Sequence, residues 1–521
     1  MPLSAIAVRR AQSRRIAVVE QGQGTMQIAQ RPVPFGGLNS RDAAGSLPPT
    51  DARVMDNIFP EPGAVRVRRG YELHATGVGS GDVKTIAELN VGTTKKLIAF
   101  SSTAAFDATT SGAAATSLKT GLTESGRWDW VNMNGSIVFV DGTNAPQQYD
   151  GSTWANLTIS GTGLTVANIV GIQVFKTRSF VWMKNSSDFF YSAAHAIGGT
   201  MTLFALSKLG AITSRGGHIV AIEPWTVDGG AGQDDFFVVI MSTGQVVVYS
   251  GTDPSDADKW SLVGVYDVGR PMSRDGFVKH GGDLTGLLGN DYKRITSETL
   301  RTGSLPVGQS KISGLAASAV ENYAANDGWQ AIIHDDKLIF NVPVSSTVFY
   351  QHVQNLATQS WCRFKGINSR VWGSFDGDLY FGDGNGQIQK AFSGNSDGGS
   401  AINWEMRTSW DSFETPLLKR MTGIRPYLTT TGTITVNVGL AYDFNTTFTS
   451  GQDVVSVAKG GVWDTDDWDL VEWAPDETAQ TDMYAVTGQG SSVGLRLKGQ
   501  TTDQEVSLFR IDYMYTAGGV I

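Results

Sequence analysis

The stretch at 234–260, DDFFVVIMSTGQVVVYSGTDPSDADKW, constrains the fold more than any other part of the chain. Residues 236–241 are apolar and rich in β-branched and aromatic side chains, Ser242, Thr243 and Gly244 supply a turn, and 245–249 resumes an extended run. This is a β-hairpin pattern, because Gly enters the positive-φ region of a tight turn without a Cβ clash. An Asp-rich loop with one Pro follows, and Trp260 then heads a third strand, SLVGVY.

The unit recurs at 329–361 (WQAIIHDDKLIFNVP, then STVFYQHVQNLATQSW), at 128–154 with a shorter last loop, at 370–392 without the closing Trp, and in weaker copies at 170–191 and 85–106. Tyr249 precedes Trp260 by the interval that separates Tyr350 from Trp361, so the two pairs are expected at equivalent positions. Six candidate units between Thr85 and Phe392, at a mean spacing of roughly 50 residues, fall in the range of propellers and solenoids. The fold class read from them is all-β: a β-propeller of about six blades with a C-terminal β-sandwich-like domain and an extended N-terminal arm.

Three regions follow. Residues 1–64 are an arm and an irregular segment punctuated by Phe35-Gly-Gly, Pro48-Pro49 and Pro60-Glu-Pro62. Residues 65–392 hold the propeller; VRVRRGY at 65–71 alternates as a first strand and is expected to close the circle by pairing with a late one. Within it, a helical insert near 281–326 is expected where the hairpin pattern lapses, with 312–323 as the helix. From Ser393 the chain loosens into SGNSDGGSA, a linker, and the alternation beyond it without helices gives a sandwich over 393–521.

Composition bounds the function. No apolar run approaches the ~20 residues of a membrane helix, so no stable membrane insertion is expected. The single Cys362 cannot form an internal disulfide. A net charge of -9 argues against a sequence-reading nucleic-acid binder, yet suits a wall along which DNA slides. Against that background, residues 1–31 carry Arg9, Arg10, Arg14, Arg15 and Arg31 with Glu20 alone, a local balance of +4. Arg9, Arg10, Arg14 and Arg15 are therefore the candidate docking arm for an acidic neighbouring subunit, the bland alternative being a solvated terminus.

The chemical motifs read as decoys, so no catalytic, cofactor-binding or metal-ligating residue is assigned and the chain is read as a non-enzyme. Gly490-Ser-Ser-Val-Gly494 has the spacing of a nucleophile elbow, but an alternating LRLKG follows where a helix is required, so it reads as a hairpin turn. Asp376-Gly-Asp378 and Asp383-Gly-Asn385-Gly lack the calcium-loop register and read as turns. The six histidines are scattered without metal-ligand spacing. Asp464, Asp466, Asp467 and Asp469, interleaved with Trp463, Trp468 and Trp473, read as a solvated edge ahead of a sugar or cation site.

Phe35-Gly-Gly-Leu-Asn, Pro48-Pro-Thr-Asp51-Ala, Arg68-Arg-Gly-Tyr71, the segment VVYSGTDPSD at 247–256, Trp361-Cys-Arg-Phe and Lys419-Arg-Met-Thr-Gly-Ile-Arg425 together resemble, in order, the tail nozzle (tail hub, or packaged-DNA stabilisation) proteins of short-tailed bacteriophages. The resemblance implies a structural virion protein made in the bacterial host cytoplasm, without cofactor, forming a homohexameric ring below an adaptor ring. Tail fibres, tailspikes or a needle are further implied contacts, and double-stranded DNA is implied to pass through the lumen without sequence recognition. The rival readings are a carbohydrate-binding or glycan-processing propeller and a host-binding tail adhesin.

Overall fold

The computed structural model describes residues 25–208, 214–228, 233–281, 283–295, 309–449, 452–456, 478–480 and 483–518. Seven small antiparallel sheets stand in a circle, each led by an innermost strand: Thr85–Val91, Asp129–Met133, Ile169–Phe175, Ile219–Asp228, Phe277–His280, Gln330–His334 and Val371–Phe375. Each sheet packs on the next, and Val371–Phe375 against Thr85–Val91 closes the ring. The chain is therefore an all-β propeller with seven blades where the sequence suggests about six. The seventh is Phe277–His280, Asp283–Leu288 and Asp291–Arg294, the fifth blade in order, which lies partly where the sequence suggests only a helical insert. Its turns, Gly281 and Gly289 at positive φ, are compact, and no Trp closes it, so the repeat signal is weak there. A helix does follow, Ser313–Tyr323, burying Ala316 and Ala319.

Blade cores are aromatic. In blade four, Trp260 stacks on Tyr249 at 5.3 Å and touches Phe237 at 5.2 Å. Trp260 and Trp361 each begin the fourth strand of a blade and are equivalent, but Tyr249 and Tyr350 are not. Gly251 lies opposite Trp260 and Gln354 opposite Trp361, which places His352 where blade four has Tyr249. The equal intervals arise because blade six has a shorter loop and Tyr350 starts farther back along its strand. Trp361 stacks instead on Tyr292 of blade five, at 5.0 Å.

Blade seven takes its outer strand from the other end of the chain: Tyr71–Ala75 pairs with Ile388–Ala391. The single strand expected at 65–71 is thus two, the earlier being Ala64–Val67 in the sandwich. The sandwich has one sheet of Met26–Pro32, Ile58–Glu61, Ala64–Val67, Lys419–Thr430, Thr478–Gln480, Tyr484–Gly490 and Val506–Ala517. The other holds Gly37–Leu38, Asp51–Asp56, Ile402–Thr408, Ile434–Tyr442, Gln452–Ser456 and Val493–Thr501, and runs on into blade six through the Asp56–Arg363 pairing. Residues expected to be irregular before 64 therefore supply four strands to the sandwich. Pro60 is tolerated because Ile58–Glu61 is an edge strand whose missing N–H breaks no ladder. Between the sheets Ile58, Val65, Trp404, Leu428, Leu497 and Val506 form a buried core.

Candidate functional site: a locked seam and a plugged axis

The propeller and the sandwich are fused by buried ion pairs. Arg68, 1% exposed in its side chain, uses all five N–H donors: Nε to Asn57 Oδ1 at 2.9 Å, Nη1 to the Arg69 carbonyl and Asp397 Oδ1, Nη2 to the Lys365 carbonyl and Asp397 Oδ2 at 2.6 Å. Asp397 thus anchors the segment at 393–401, which is bound in place where its composition suggests a loose linker. Glycine is required at position 70, where a Cβ would lie 1.8 Å from the Ser396 carbonyl oxygen. Nearby, the Asp56 carboxylate accepts a bidentate pair from Arg363 at 2.7 and 2.9 Å and a third bond from Lys365 at 2.7 Å. Burial pushes the Asp56 carboxyl up, and these two cations outweigh that and hold it below its ordinary value.

A second buried carboxylate, Asp51, ties the N-terminal segment down. It accepts from Asn39 Nδ2 at 2.8 Å and from Lys311 Nζ at 2.9 Å, while Ser360 Oγ donates to the Phe35 carbonyl. Gly37, at φ 86°, lets the backbone pass Trp361, where a Cβ would meet backbone atoms at 2.6 Å.

The axis of the propeller is plugged. Arg127, just before the first strand of blade two, reaches Asp275 Oδ2 at 3.0 Å and the Arg370 carbonyl at 2.8 Å. Arg274 donates to the Val170 and Arg127 carbonyls and lies 3.5 Å from Asp275 Oδ1. One Arg–Asp–Arg cluster thereby links blades two, three, five and seven at the end where the inner strands begin. Below it, adjoining cavities of about 190 and 270 Å³ share Asp129, Asp275 and Gln330. Gln173 Nε2 donates to Glu223 Oε2 at 3.3 Å, and Asp129 accepts from the Ile172 and Trp130 amides. Burial raises the Glu223 carboxyl to about 8, Lys279 opposing and the Asp129 and Asp275 charges adding; burial raises Asp129 to about 6. Asp275 moves the other way, because the two guanidiniums outweigh its burial.

Arg9, Arg10, Arg14 and Arg15, and the acidic Trp-rich loop at 462–473, lie outside the described residues. Gly490 and Gly494 flank a corner where the chain crosses from one sandwich sheet to the other, and not the hairpin turn that the alternation suggests; Ser491 and Ser492 both bond Asp443 there. Asp376 and Gly377, at φ 49° and 88°, make a two-residue hairpin turn, and Asp383 accepts from the Asn385 and Gln387 amides in another. His352 is buried, with Nδ1 2.6 Å from the Tyr292 hydroxyl. Among the described residues no three His, Cys, Asp or Glu side chains are grouped to hold a metal ion. The axial cluster was missed by motif reading. Its signal is positional: Arg127 and Arg274-Asp275 both lie immediately before an inner strand.

No family model and no curated protein matches the sequence. Solved structures similar to this chain include three propeller or propeller-like chains. YCF48 from Cyanidioschyzon merolae is 12% identical, with a TM-score of 0.36 over 62% of this chain and 98% of that one. The WD40 β-propeller domain of Doa1 is 10% identical, with a TM-score of 0.35 over 62% and 96%. BBS1N, solved in complex with ARL6DN, is 12% identical, with a TM-score of 0.39 over 64% and 99%.

Proposed function

We propose that this chain is a structural subunit of the tail nozzle of a short-tailed bacteriophage, a ring that retains packaged DNA and conducts it at ejection. The observation that carries the reading is the seam. Of the six segments on which the resemblance rests, those at 35–39, 48–52, 68–71 and 361–364 are far apart in sequence yet contribute to the same junction between propeller and sandwich. That junction makes one rigid block of two folds, which suits a ring wall bearing internal pressure. The plugged axis adds a constraint: in this reading DNA runs between copies, through the centre of the ring, and not through any single propeller. Electron micrographs of the purified protein, alone and with an adaptor ring, test the reading. Rings that stack on the adaptor support it, and a chain that neither forms rings nor binds the adaptor removes it.

A glycan-binding or glycan-processing propeller is the second reading, and a specific observation favours it. Asp129 and Glu223 are two carboxyls with separated pKa values in one axial cavity, the arrangement that acid–base chemistry on a sugar uses. Release of reducing sugar from a glycan panel, abolished by E223Q, would favour this reading over the nozzle.

A further inference from the structure

Among the described residues, two groups of exposed apolar side chains lie close together on their own surfaces. One is the outward face of the first sandwich sheet. Register places Ile28 opposite Met514 and Met514 opposite Gly423, and Met483 Sδ lies 3.1 Å from where a Gly423 Cβ would be. Met26, Ile28 and Met483 are 55–59% exposed, and among the described residues Met26–Pro32 is an edge strand that pairs with Val506–Ala517 alone. The other patch is the outer edge of blades three and four. Leu203, Leu262 and Val263 there are 39–42% exposed, on the outermost strands Thr202–Phe204 and Trp260–Asp267. Phe204 lies 6.5 Å from Trp260, so these two strands are neighbours.

Blades six and seven carry the sandwich, and in a circle of seven, blades three and four lie across from them. The charges beside the patches are complementary. On the blade edge Asp253, Asp256 and Asp258 face Arg178 and Lys259, an excess of one acid; on the sandwich face Arg420, Arg425 and Arg510 stand against Asp512, an excess of two bases. An unpaired edge with exposed apolar side chains is a template for association.

Resting on the ring reading, we propose that copies of this chain join head to tail, the outer edge of blades three and four of one copy seating on the outward sandwich face of the next. A two-fold contact would cover only one patch and leave the other bare. A contact between two different patches covers both and, when its rotation closes, generates a ring.

The test uses the full chain and two single variants, I28D and L262D, whose side chains are exposed and whose folding is checked by circular dichroism. Sedimentation velocity of the unaltered chain should show a closed oligomer, and each variant alone should be monomeric up to at least tenfold higher concentration. Mixed together they should give a one-to-one dimer and nothing larger, because one intact pair of patches remains. As an independent check, R420E/R425E should loosen assembly and the added substitution D256K/D258K should restore it. The inference is overturned if the unaltered chain stays monomeric, if either single variant assembles normally, or if the mixture remains monomeric. Rings that behave as expected here but ignore an adaptor would leave this inference standing and remove the nozzle reading.

Discussion

Arg127 Nη1 lies 3.0 Å from Asp275 Oδ2, joining the start of blade two to the start of blade five across the propeller axis. Arg274 shares the same carboxylate, so two guanidiniums lean on Asp275 in a confined space, with the Asp129 charge adding for Arg274. Replacing Asp275 with Asn should destabilise the protein by about 3–5 kcal/mol, because it leaves buried positive charge uncompensated. The double variant R127M/D275L, which removes both partners of one pair, should recover part of that loss. Thermal melts of the three proteins at pH 7 check the order: D275N lowest, the double variant between.

Glu223 predicts a slope of stability with pH. Its folded-state value of about 8 lies above the ordinary carboxyl value of 4.5, so between the two the folded chain holds a proton that the unfolded chain has released. Stability from this group is therefore full below the lower value and is lost as pH rises toward the upper one, by at most about 1.4 kcal/mol per pH unit. Asp129 acts the same way over the narrower window from 3.8 to about 6. E223Q should flatten the curve above pH 6 and melt higher than the parent at pH 8. A pH series of melting temperatures in which parent and variant run parallel would refute the assignment.

How much of this was legible in the sequence depends on distance. The hairpins at 234–251 and 371–382 could be read because turn and strand signals are local, and the helix at Ser313–Tyr323 likewise. The fifth blade was not, because its strands are short and lack the closing Trp. Nor was the sandwich's share of residues before 64, since strands such as Asp51–Asp56 are defined by partners more than three hundred residues away, among them Met406 opposite Met55. Asp51, Asp56, Arg68 and Asp397 look like ordinary surface charges in a polar sequence, and only the fold shows that they are drawn from solvent into separate hydrogen-bonded clusters.

Arg68 illustrates the energetic weight of such a residue. R68A would strand Asp397 and Asn57 and remove five hydrogen bonds, a loss of about 3–5 kcal/mol. R68K should recover only part, because an ammonium has three donors and no planar fork. Calorimetry should show the parent melting in one transition and R68A in two, as sandwich and propeller uncouple; a single unshifted transition in R68A would rule out the seam as the coupling element.

The arm calls for a truncation that stops short of the sandwich. Met26–Pro32 is a strand, so the deletion should end at residue 24. Removing 1–24 takes away Arg9, Arg10, Arg14 and Arg15 and should weaken attachment to an adaptor ring at least several-fold, while attachment of the intact chain should itself weaken with rising salt. Unchanged binding and an unchanged salt response after truncation would make the segment a solvated terminus.

The last prediction concerns DNA. A nozzle must hold its DNA back and then release it fast, and a wall that grips phosphate acts as friction. The chain has a net charge of -9, and many of its described cations are already engaged, Arg68 with Asp397, Arg127 with Asp275, Arg178 with Asp253 and Arg363 with Asp56. Cations engaged in this way are not free to displace the counterions condensed on a duplex. The purified protein should therefore bind duplex DNA more weakly than the ~10⁻⁴–10⁻⁶ M usual for non-specific binders at physiological salt. Fluorescence anisotropy with a labelled duplex over a salt series measures this. Tight binding with a steep salt slope would reveal phosphate-gripping residues, and the proposed low-friction wall would have to be abandoned.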